Sequence, residues 1–218
     1  MKKFQQQFLN SLTPGVSVLI ALLGLVYLAV IAAKMTRTAD LLEWISLTGP
    51  QFRNGQVWRV VTYALVPAGI VDFIMNGFLL ILLGGLLERH QSRGALWMIC
   101  IFAALGGGLA KVTIQWSSTA PLVGATPIVY GLLAAWCLLC GHERIMVPPI
   151  GEIFVWQLTL LAGAVSFLAM ALSAGLSDAL VFLGGGVSGW FYVWLRRKWF
   201  MRRTARTVHS ERIARLEL

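Results

Sequence analysis

The chain has 218 residues, of which 58% are hydrophobic and only 12% are charged, and its mean hydropathy is +0.76. Soluble domains carry about 25% charged residues, so roughly half of the usual solubilising charge is missing. This composition excludes a soluble secreted enzyme, a soluble nucleic-acid-binding protein and a disordered chain, because so much apolar surface cannot be hidden in one core of this size. It predicts an integral membrane protein.

The apolar residues fall into stretches of about 20 residues, the length of a membrane-spanning helix. Six such spans are predicted, at 15–34, 70–88, 94–112, 122–141, 154–173 and 177–195. The segment 35–69 is too polar to span a membrane and too apolar to be a free loop, so we interpret it as partly embedded short helices. The predicted fold class is all-α: a membrane domain at 15–195, with a cytoplasmic segment 1–14 before it and a basic cytoplasmic tail 196–218 after it.

The positions of lysine and arginine predict how this bundle is oriented, because cytoplasmic loops carry an excess of them. With six spans, one side would hold 13 of the 18 basic residues and the other side 5. We therefore expect both ends of the chain in the cytoplasm, as in a bacterial inner-membrane protein. Eight of the basic residues follow residue 195. There we expect contact with anionic lipid, and binding of nucleic acid is the less favoured alternative.

The three cysteines all lie inside apolar runs, and an odd number in such positions does not indicate a disulfide framework. Cys137 and Cys140 have the C-x-x-C spacing, but the sequence shows no second pair of cysteines or histidines to complete a metal site. We interpret them, like Cys100, as packing residues. The sequence therefore predicts neither a metal site nor a cofactor.

Polar residues inside the spans are the candidate functional residues, because placing them in lipid is costly. Asp72 and Asn76 are four residues apart and share one face of the second span. Thr126 follows Gly124 near the start of the fourth span, and Tyr130 lies one turn further along. These residues are expected near the outer membrane surface.

The sixth span contains Gly184, Gly185 and Gly189, and the last two have the G-x-x-x-G spacing. Small residues at this spacing let two helices approach backbone to backbone. We expect this face to pack against the fourth span near Gly124 and Gly131. Taken alone the spacing is weak evidence, because many unrelated helix bundles contain it.

In their order along the chain, these features resemble the motifs of the rhomboid family of intramembrane serine proteases. Trp58-Arg59 followed by Thr62 is similar to the first-loop motif of that family. The His-x-x-x-Asn motif of the second span falls on Asp72 and Asn76, so the asparagine is present and the histidine is not. The resemblance extends over about residues 55–195.

The later motifs of the family also have counterparts. Gly84-Gly85-x-x-Glu88 resembles the inner end of the second span. The nucleophile motif Gly-x-Ser-Gly falls on residues 124–127, where Thr126 takes the place of the serine. The His-x-x-Gly-x-x-x-Gly motif falls on residues 182–189, where Phe182 takes the place of the histidine.

These departures argue against proteolysis. In a rhomboid the serine attacks the peptide carbonyl, the histidine takes its proton, and Asn and His side chains help to hold the oxyanion. Phe182 cannot accept a proton, and the methyl group of Thr126 crowds the attack. Pro127 removes a backbone N–H beside the site, and Asp72 adds negative charge where an oxyanion would form.

The resemblance therefore implies a site without a catalytic dyad. Asp72 and Asn76 take the oxyanion positions, and the binding residues implied are Gly124, Thr126, Tyr130 and Phe182. Other groups that could act beside Thr126 are Lys111 or an aspartate (Asp72 or Asp178) as its base, and Ser188 as a displaced nucleophile. The three histidines are expected at the cytoplasmic end of the bundle, too far away to help.

Several side chains have a simple structural interpretation. Tyr63, Trp44 and Trp116 are expected to be aromatic anchors at the membrane surface. Lys111 ends the third span, where a lysine usually extends its ammonium group to the interface. Asn76 could act as a hydrogen-bonding contact between helices rather than as a ligand-binding group.

Three functions compete on this evidence. The favoured one is a rhomboid-like pseudoprotease whose fold lets the transmembrane helices of client proteins approach laterally and dock. The alternative is an active intramembrane endopeptidase that uses a non-standard site at Thr126. The third is a six-helix structural or transport protein, which is disfavoured because an ion path needs buried charges that are nearly absent.

Overall fold

A computed structural model describes residues 12–36, 41–147 and 151–216, without the side chains of 145–147, 151 and 200–216. The predicted amino-terminal segment 1–14 thus lies outside the described residues as far as residue 11. Of the predicted tail 196–218, the backbone is described as far as residue 216. The contacts of the basic tail with lipid stay a prediction.

The described part of the chain is a helical bundle. Its helices are α1 (Pro14–Thr36), α2 (Leu41–Ile45), α3 (Gly49–Arg53), α4 (Arg59–Thr62), α5 (Ile70–His90), α6 (Arg93–Ile114), α7 (Thr126–Cys140), α8 (Val155–Ser173) and α9 (Leu176–Leu216). Among the described residues, α1, α5, α6, α8 and the first part of α9 are long and apolar enough to cross a membrane, and α7 is a shorter apolar helix. The predicted all-α membrane bundle is confirmed.

Two predicted spans have different ends in the structure. α7 begins at Thr126 rather than at 122, because Leu122 is extended and pairs with Leu47, and Gly124 has a φ of +105°. α7 is therefore only 15 residues long, which gives about 22 Å at the helical rise per residue. The last helix continues beyond the predicted end at 195 and ends at Leu216.

α7 lies at the centre of the bundle, and α9 packs closely against both α6 and α7. A Cβ added at Gly189 would lie 2.6 Å from Cα of Gly131, and Gly185 faces the first turn of α7. Gly184 points elsewhere, because a Cβ there would lie 2.8 Å from the carbonyl oxygen of Gly106 in α6. Neighbouring residues of a helix point in directions about 100° apart, so the expected packing against the fourth span does not extend to Gly184.

The first loop packs over one end of the bundle, which we call the loop end. Arg59 in α4 is only 3% exposed and donates hydrogen bonds to the carbonyl oxygens of Glu43 and Ser46, the latter at 2.8 Å. Burial lowers the pKa of the Arg59 guanidinium. Leu47 is fully buried, whereas Trp58 is exposed. One side of this segment therefore belongs to the core and the other faces outward.

At the opposite end, which we call the tail end because α9 extends beyond it, Glu88 joins α5 to α1. Its carboxylate accepts hydrogen bonds from the Thr13 hydroxyl at 2.5 Å and from the backbone N–H groups of Gly15 at 3.0 Å and Val16 at 3.2 Å. Arg93 completes the cluster at 3.3 Å. Because the first N–H groups of a helix have no partner within it, Glu88 caps α1.

The connection from α7 to α8 contains a β-hairpin that the sequence analysis does not predict. Its strands are β1 (Arg144–Val147) and β2 (Gly151–Phe154), which pair antiparallel with Arg144 opposite Phe154. The Val155 N–H also donates to the carbonyl of Glu143 at 3.0 Å. This small hairpin leaves the fold class unchanged, and it fixes the turn that follows α7.

Candidate functional site

The candidate site lies at the loop end of the bundle, where Thr126 begins α7. The turn before it needs Gly124, because that residue has a positive φ and a Cβ there would lie 3.2 Å from Oδ2 of Asp72. The Gly124 N–H donates to the carbonyl of Tyr63 at 3.3 Å. Pro127 stands in the first turn of α7, where its missing N–H removes no hydrogen bond within the helix. This local structure holds Thr126 beside α5.

A hydrogen-bonded chain connects α5 to Thr126. The Asn76 amide nitrogen donates to Oδ1 of Asp72 at 2.7 Å and lies 3.4 Å from Oγ1 of Thr126. The other carboxylate oxygen of Asp72 accepts from the Ala68 N–H at 3.0 Å. Asn76 itself is buried. The structure thus brings Asp72, Asn76 and Thr126 together, beside a small cleft that is lined by Leu23, Pro67, Asp72, Phe73, Asn76, Gly77 and Ala125.

The hydrogen bonds from Asn76 to Asp72 and Thr126 limit its ability to bind a ligand or an oxyanion. An asparagine amide has two N–H donors, and here one is directed to Asp72 and the other to Thr126. Both are therefore engaged within the protein. A developing oxyanion would have to compete with the carboxylate of Asp72, and that carboxylate would also repel it.

Phe182 of α9 stacks on Tyr130 of α7. The two rings have centroids 6.5 Å apart and planes 23° apart, and both side chains are buried. The same face of α9 is held close by Gly185, where a Cβ would lie 2.7 Å from Cβ of Pro127. Tyr130 lies one turn after Thr126 in α7, and the Phe182 ring of α9 packs against it. A phenyl ring has no lone pair with which to accept a proton.

The other candidate groups have partners of their own. Lys111 donates to Gln115 at 2.5 Å and lies 3.9 Å from Asp178, while Gln115 donates to Asp178 at 2.7 Å. Lys111 is only 1% exposed, so the prediction of an interfacial side chain is wrong. The Ser188 hydroxyl donates to the carbonyl oxygen of Gly184, in the preceding turn of its own helix, at 2.9 Å.

The histidines whose side chains are described lie at the other end of the bundle. His90 lies within 4.8 Å of the Cys140 sulfur. Cys140 ends α7 fourteen residues after Thr126, which corresponds to about 21 Å along the helix. His142 follows Cys140 by two residues. Within the part of the chain that the structure describes, no imidazole is therefore placed to act on Thr126.

Tyr63 supports the site, and this role was missed in the sequence. It is fully buried, so the prediction of an anchor at the membrane surface is wrong. Its hydroxyl donates to the Ala104 carbonyl at 2.9 Å, and its own carbonyl accepts from Gly124. Burial raises the pKa of its phenol, which keeps the hydroxyl neutral and able to donate. The sequence signal for this role is that Tyr63 directly follows Thr62, a residue of the first-loop motif.

The fold and the site define a multi-pass membrane protein with a polar cluster at one end of a central short helix. The family model of the rhomboid domain matches residues 54–207, which include α4 to α9 apart from the last residues of α9. The chain belongs to the rhomboid family. The resemblance seen in the sequence is confirmed at this level.

Individual relatives agree with this assignment. The chain is 28% identical over 153 residues to "Rhomboid protease GlpG" of Serratia proteamaculans, a stretch that is 69% of this chain and 54% of the relative. It is 36% identical over 86 residues to human "Rhomboid-related protein 3", covering 39% of this chain and 20% of the relative. The mouse protein of the same name is 35% identical over 86 residues. The chain thus spans about half the length of the first relative and a fifth of the length of the others.

Proposed function

We propose that this protein is a rhomboid-like pseudoprotease that binds the transmembrane helices of client proteins and does not cleave them. The observation that carries this proposal is the buried Phe182 ring against Tyr130, at the position where the family motif has its histidine. Losing the general base of a nucleophile–base pair costs several orders of magnitude in rate. The Thr126 hydroxyl then keeps its proton at neutral pH.

The site is also unsuited to the oxyanion. Asn76 directs its closest hydrogen bond to Asp72, at 2.7 Å. A single oxyanion-hole donor is worth about 100-fold to 1,000-fold in rate. Loss of that donor and loss of the base would act on the same step of the reaction. Both differences from the family motifs therefore favour a catalytically inactive site.

The alternative is an endopeptidase in which Thr126 is the nucleophile. The observation in its favour is the 3.4 Å contact between the Asn76 amide and Oγ1 of Thr126, together with a carboxylate one hydrogen bond away. For this route Asp72 would have to take the proton of Thr126, and its carboxylate would first have to give up its bond to Asn76.

Cleavage decides between these two functions. Purified full-length protein in lipid nanodiscs is incubated with a fluorescent single-span rhomboid substrate and, separately, with a fluorophosphonate probe. The matched control is Thr126→Ala. We expect no cleavage and no labelling from either protein. Cleavage by the native chain that disappears in Thr126→Ala would overturn the pseudoprotease and establish the alternative.

Client binding is proposed on the exposed surface of α5, the helix that carries Asp72 and Asn76. On that helix Ile74, Met75 and Phe78 are exposed, and Met75 adjoins the buried Asn76. A photoreactive amino acid at Met75 should cross-link to single-span helices that are co-reconstituted at low density. The control position is Leu28 of α1, which is similarly exposed on the surface of the bundle. Equal cross-linking from both positions would indicate random collision and contradict docking at the site.

We also propose that the tail end faces the cytoplasm, in a bacterial inner membrane. Arg196 in α9 donates to Gln91 after α5 at 2.9 Å, and Arg197 donates to the Leu138 carbonyl at 3.1 Å. Through these contacts Arg196 and Arg197 lie beside the α5–α6 turn and the end of α7, at one end of the bundle. Excess positive charge on one side favours the cytoplasm for that side.

A further inference from the structure

At the tail end, far from the candidate site, three metal-ligating side chains from different parts of the chain converge. They are His90 at the end of α5, Cys140 at the end of α7 and Glu143 in the turn before β1. One ligand atom from each lies within 4.8 Å of the other two. We propose that these three residues form a zinc site that joins the ends of α5 and α7.

The ligand set and its separations suit zinc. Zinc accepts thiolate, imidazole and carboxylate ligands at about 2.0–2.3 Å, usually with tetrahedral geometry. Ligand atoms around such an ion are about 3–4 Å apart. The three atoms here lie within 4.8 Å of one another, so the side chains have to move closer together for all three to bind the ion. A water molecule completes the fourth position.

The backbone holds the third ligand in place. The Glu143 N–H donates to the Cys140 carbonyl at 2.9 Å, which closes a tight turn at the end of α7. The Glu143 carbonyl accepts from Val155, and the Gly141 carbonyl accepts from Trp156 at 3.2 Å. The β-hairpin therefore returns the chain to this turn and fixes the position of Glu143 relative to Cys140.

The environment favours a thiolate-binding ion over a hard cation. Cys140 is buried, whereas His90 and Glu143 are exposed, so an ion can enter from the aqueous side and reach the sulfur. Arg144, which follows Glu143 in the chain, forms an ion pair with Glu152. Ca²⁺ and Mg²⁺ need several oxygen ligands, whereas zinc binds strongly to one thiolate and one imidazole. Zinc binding releases the thiol proton to solvent and forms a Zn–S bond.

Cobalt is the spectroscopic probe for this site, because Co²⁺ can take the place of zinc and its bond to a thiolate gives a charge-transfer absorption band. Chelator-treated full-length protein in detergent is titrated with Co²⁺ and then with Zn²⁺. We expect one equivalent to give the thiolate band and zinc to remove it. His90→Gln and Glu143→Gln, which change exposed residues, should each weaken zinc binding at least tenfold. Cys140→Ser should abolish the band.

The neighbouring residues of the same types provide the controls. Cys137 lies one turn before Cys140, and His142 lies one residue before Glu143, so Cys137→Ser and His142→Gln should keep the band and the affinity. At a zinc concentration near the dissociation constant of the native protein, zinc should also raise the melting temperature of the native protein more than that of His90→Gln. Absence of a thiolate band, or a band that survives in Cys140→Ser and is lost in Cys137→Ser, would overturn the site. Neither result tests whether Thr126 is inactive in proteolysis.

Discussion

Asn76 donates to Asp72 over 2.7 Å, within one turn of α5, and the same amide nitrogen reaches Thr126 over 3.4 Å. The shorter contact is the stronger one, because 2.7 Å is a normal hydrogen-bond distance and 3.4 Å is a long one. Asp72 therefore orients the Asn76 amide, and Thr126 receives its second donor. Asp72, which stands where the family motif has a histidine, thus determines the direction of the Asn76 amide.

This relationship predicts how the site responds to repair. Thr126→Ser alone supplies an unhindered hydroxyl without a base, and Phe182→His alone supplies a base beside a crowded threonine. Both single variants are expected to be inactive, because members of one catalytic unit act non-additively. The double variant should cleave slowly. Adding Asp72→Ala should release an Asn76 donor and raise the rate by about tenfold or more.

Initial rates of cleavage of a fluorescent single-span substrate check this order of activities. The matched control adds Asp178→Ala, in place of Asp72→Ala, to the double variant, because Asp178 pairs with Lys111 and Gln115 rather than with Asn76. That change should not increase the rate. Activity of the Phe182→His single variant equal to that of the double variant would show that the threonine hydroxyl is competent and that Phe182 alone silences the site.

The glycine contacts between α9 and α7 predict a loss of stability on small substitutions. A Cβ at Gly189 would lie 2.6 Å from Cα of Gly131 and 2.8 Å from its carbonyl oxygen, so the two backbones must separate. Overpacking of this kind costs about 1–3 kcal/mol in the free energy of unfolding. Thermal unfolding in detergent should show a lower melting temperature for Gly189→Ala. Gly163→Ala on α8 is the control, because nothing lies within 4 Å of the added Cβ.

The bundle could be predicted from the sequence because backbone groups in lipid must be bonded within their own helix, so apolar length alone indicates a span. The rotation of each helix could not be predicted as easily. In α8, Leu161, Val165 and Leu168 are exposed, as expected for a surface in contact with lipid, and they are as apolar as the buried residues. Hydrophobic periodicity therefore does not distinguish the core from the lipid face.

Site residues that are close in the sequence or belong to a family motif could be predicted, whereas contacts between distant residues could not. Asp72 and Asn76 share a helix face by their spacing, and the family motifs indicated that Thr126 belongs with them. The burial of Lys111 depends on Asp178, which is 67 residues further along the chain. The proximity of His90 to Cys140 likewise depends on how α5 lies against α7. Contacts between distant residues such as these have no signal in a single sequence.

Orientation across the membrane can be tested with single cysteines. In a background that lacks the three native cysteines, Asn54→Cys lies on the exposed side of the first loop and Ser210→Cys lies in the basic tail. A membrane-impermeant maleimide added to intact cells should label position 54 and should label position 210 only after the cells are permeabilised. Labelling of both positions in intact cells would contradict the expected topology.

Removal of the Glu88 carboxylate is predicted to destabilise the protein. Its side chain is only 8% exposed and accepts bonds from Thr13, Gly15 and Val16, which hold the start of α1. Glu88→Ala leaves two helix N–H groups without this acceptor, and each buried unsatisfied group costs about 1–3 kcal/mol. We expect the free energy of unfolding to fall by about 2 kcal/mol or more.

One further variant separates the hydrogen bonds of Glu88 from its charge, and a second serves as a control at an exposed carboxylate. Glu88→Gln keeps one acceptor oxygen but loses the negative charge that favours a helix amino terminus, so its stability should lie between those of the native protein and Glu88→Ala. Glu152→Ala removes a carboxylate that is 58% exposed and pairs with the exposed Arg144, and an exposed pair is worth about 0–1 kcal/mol. Denaturant unfolding of the four proteins in mixed micelles measures these differences. If Glu88→Ala proves as stable as Glu152→Ala, the hydrogen bonds of Glu88 do not hold α1 to the bundle.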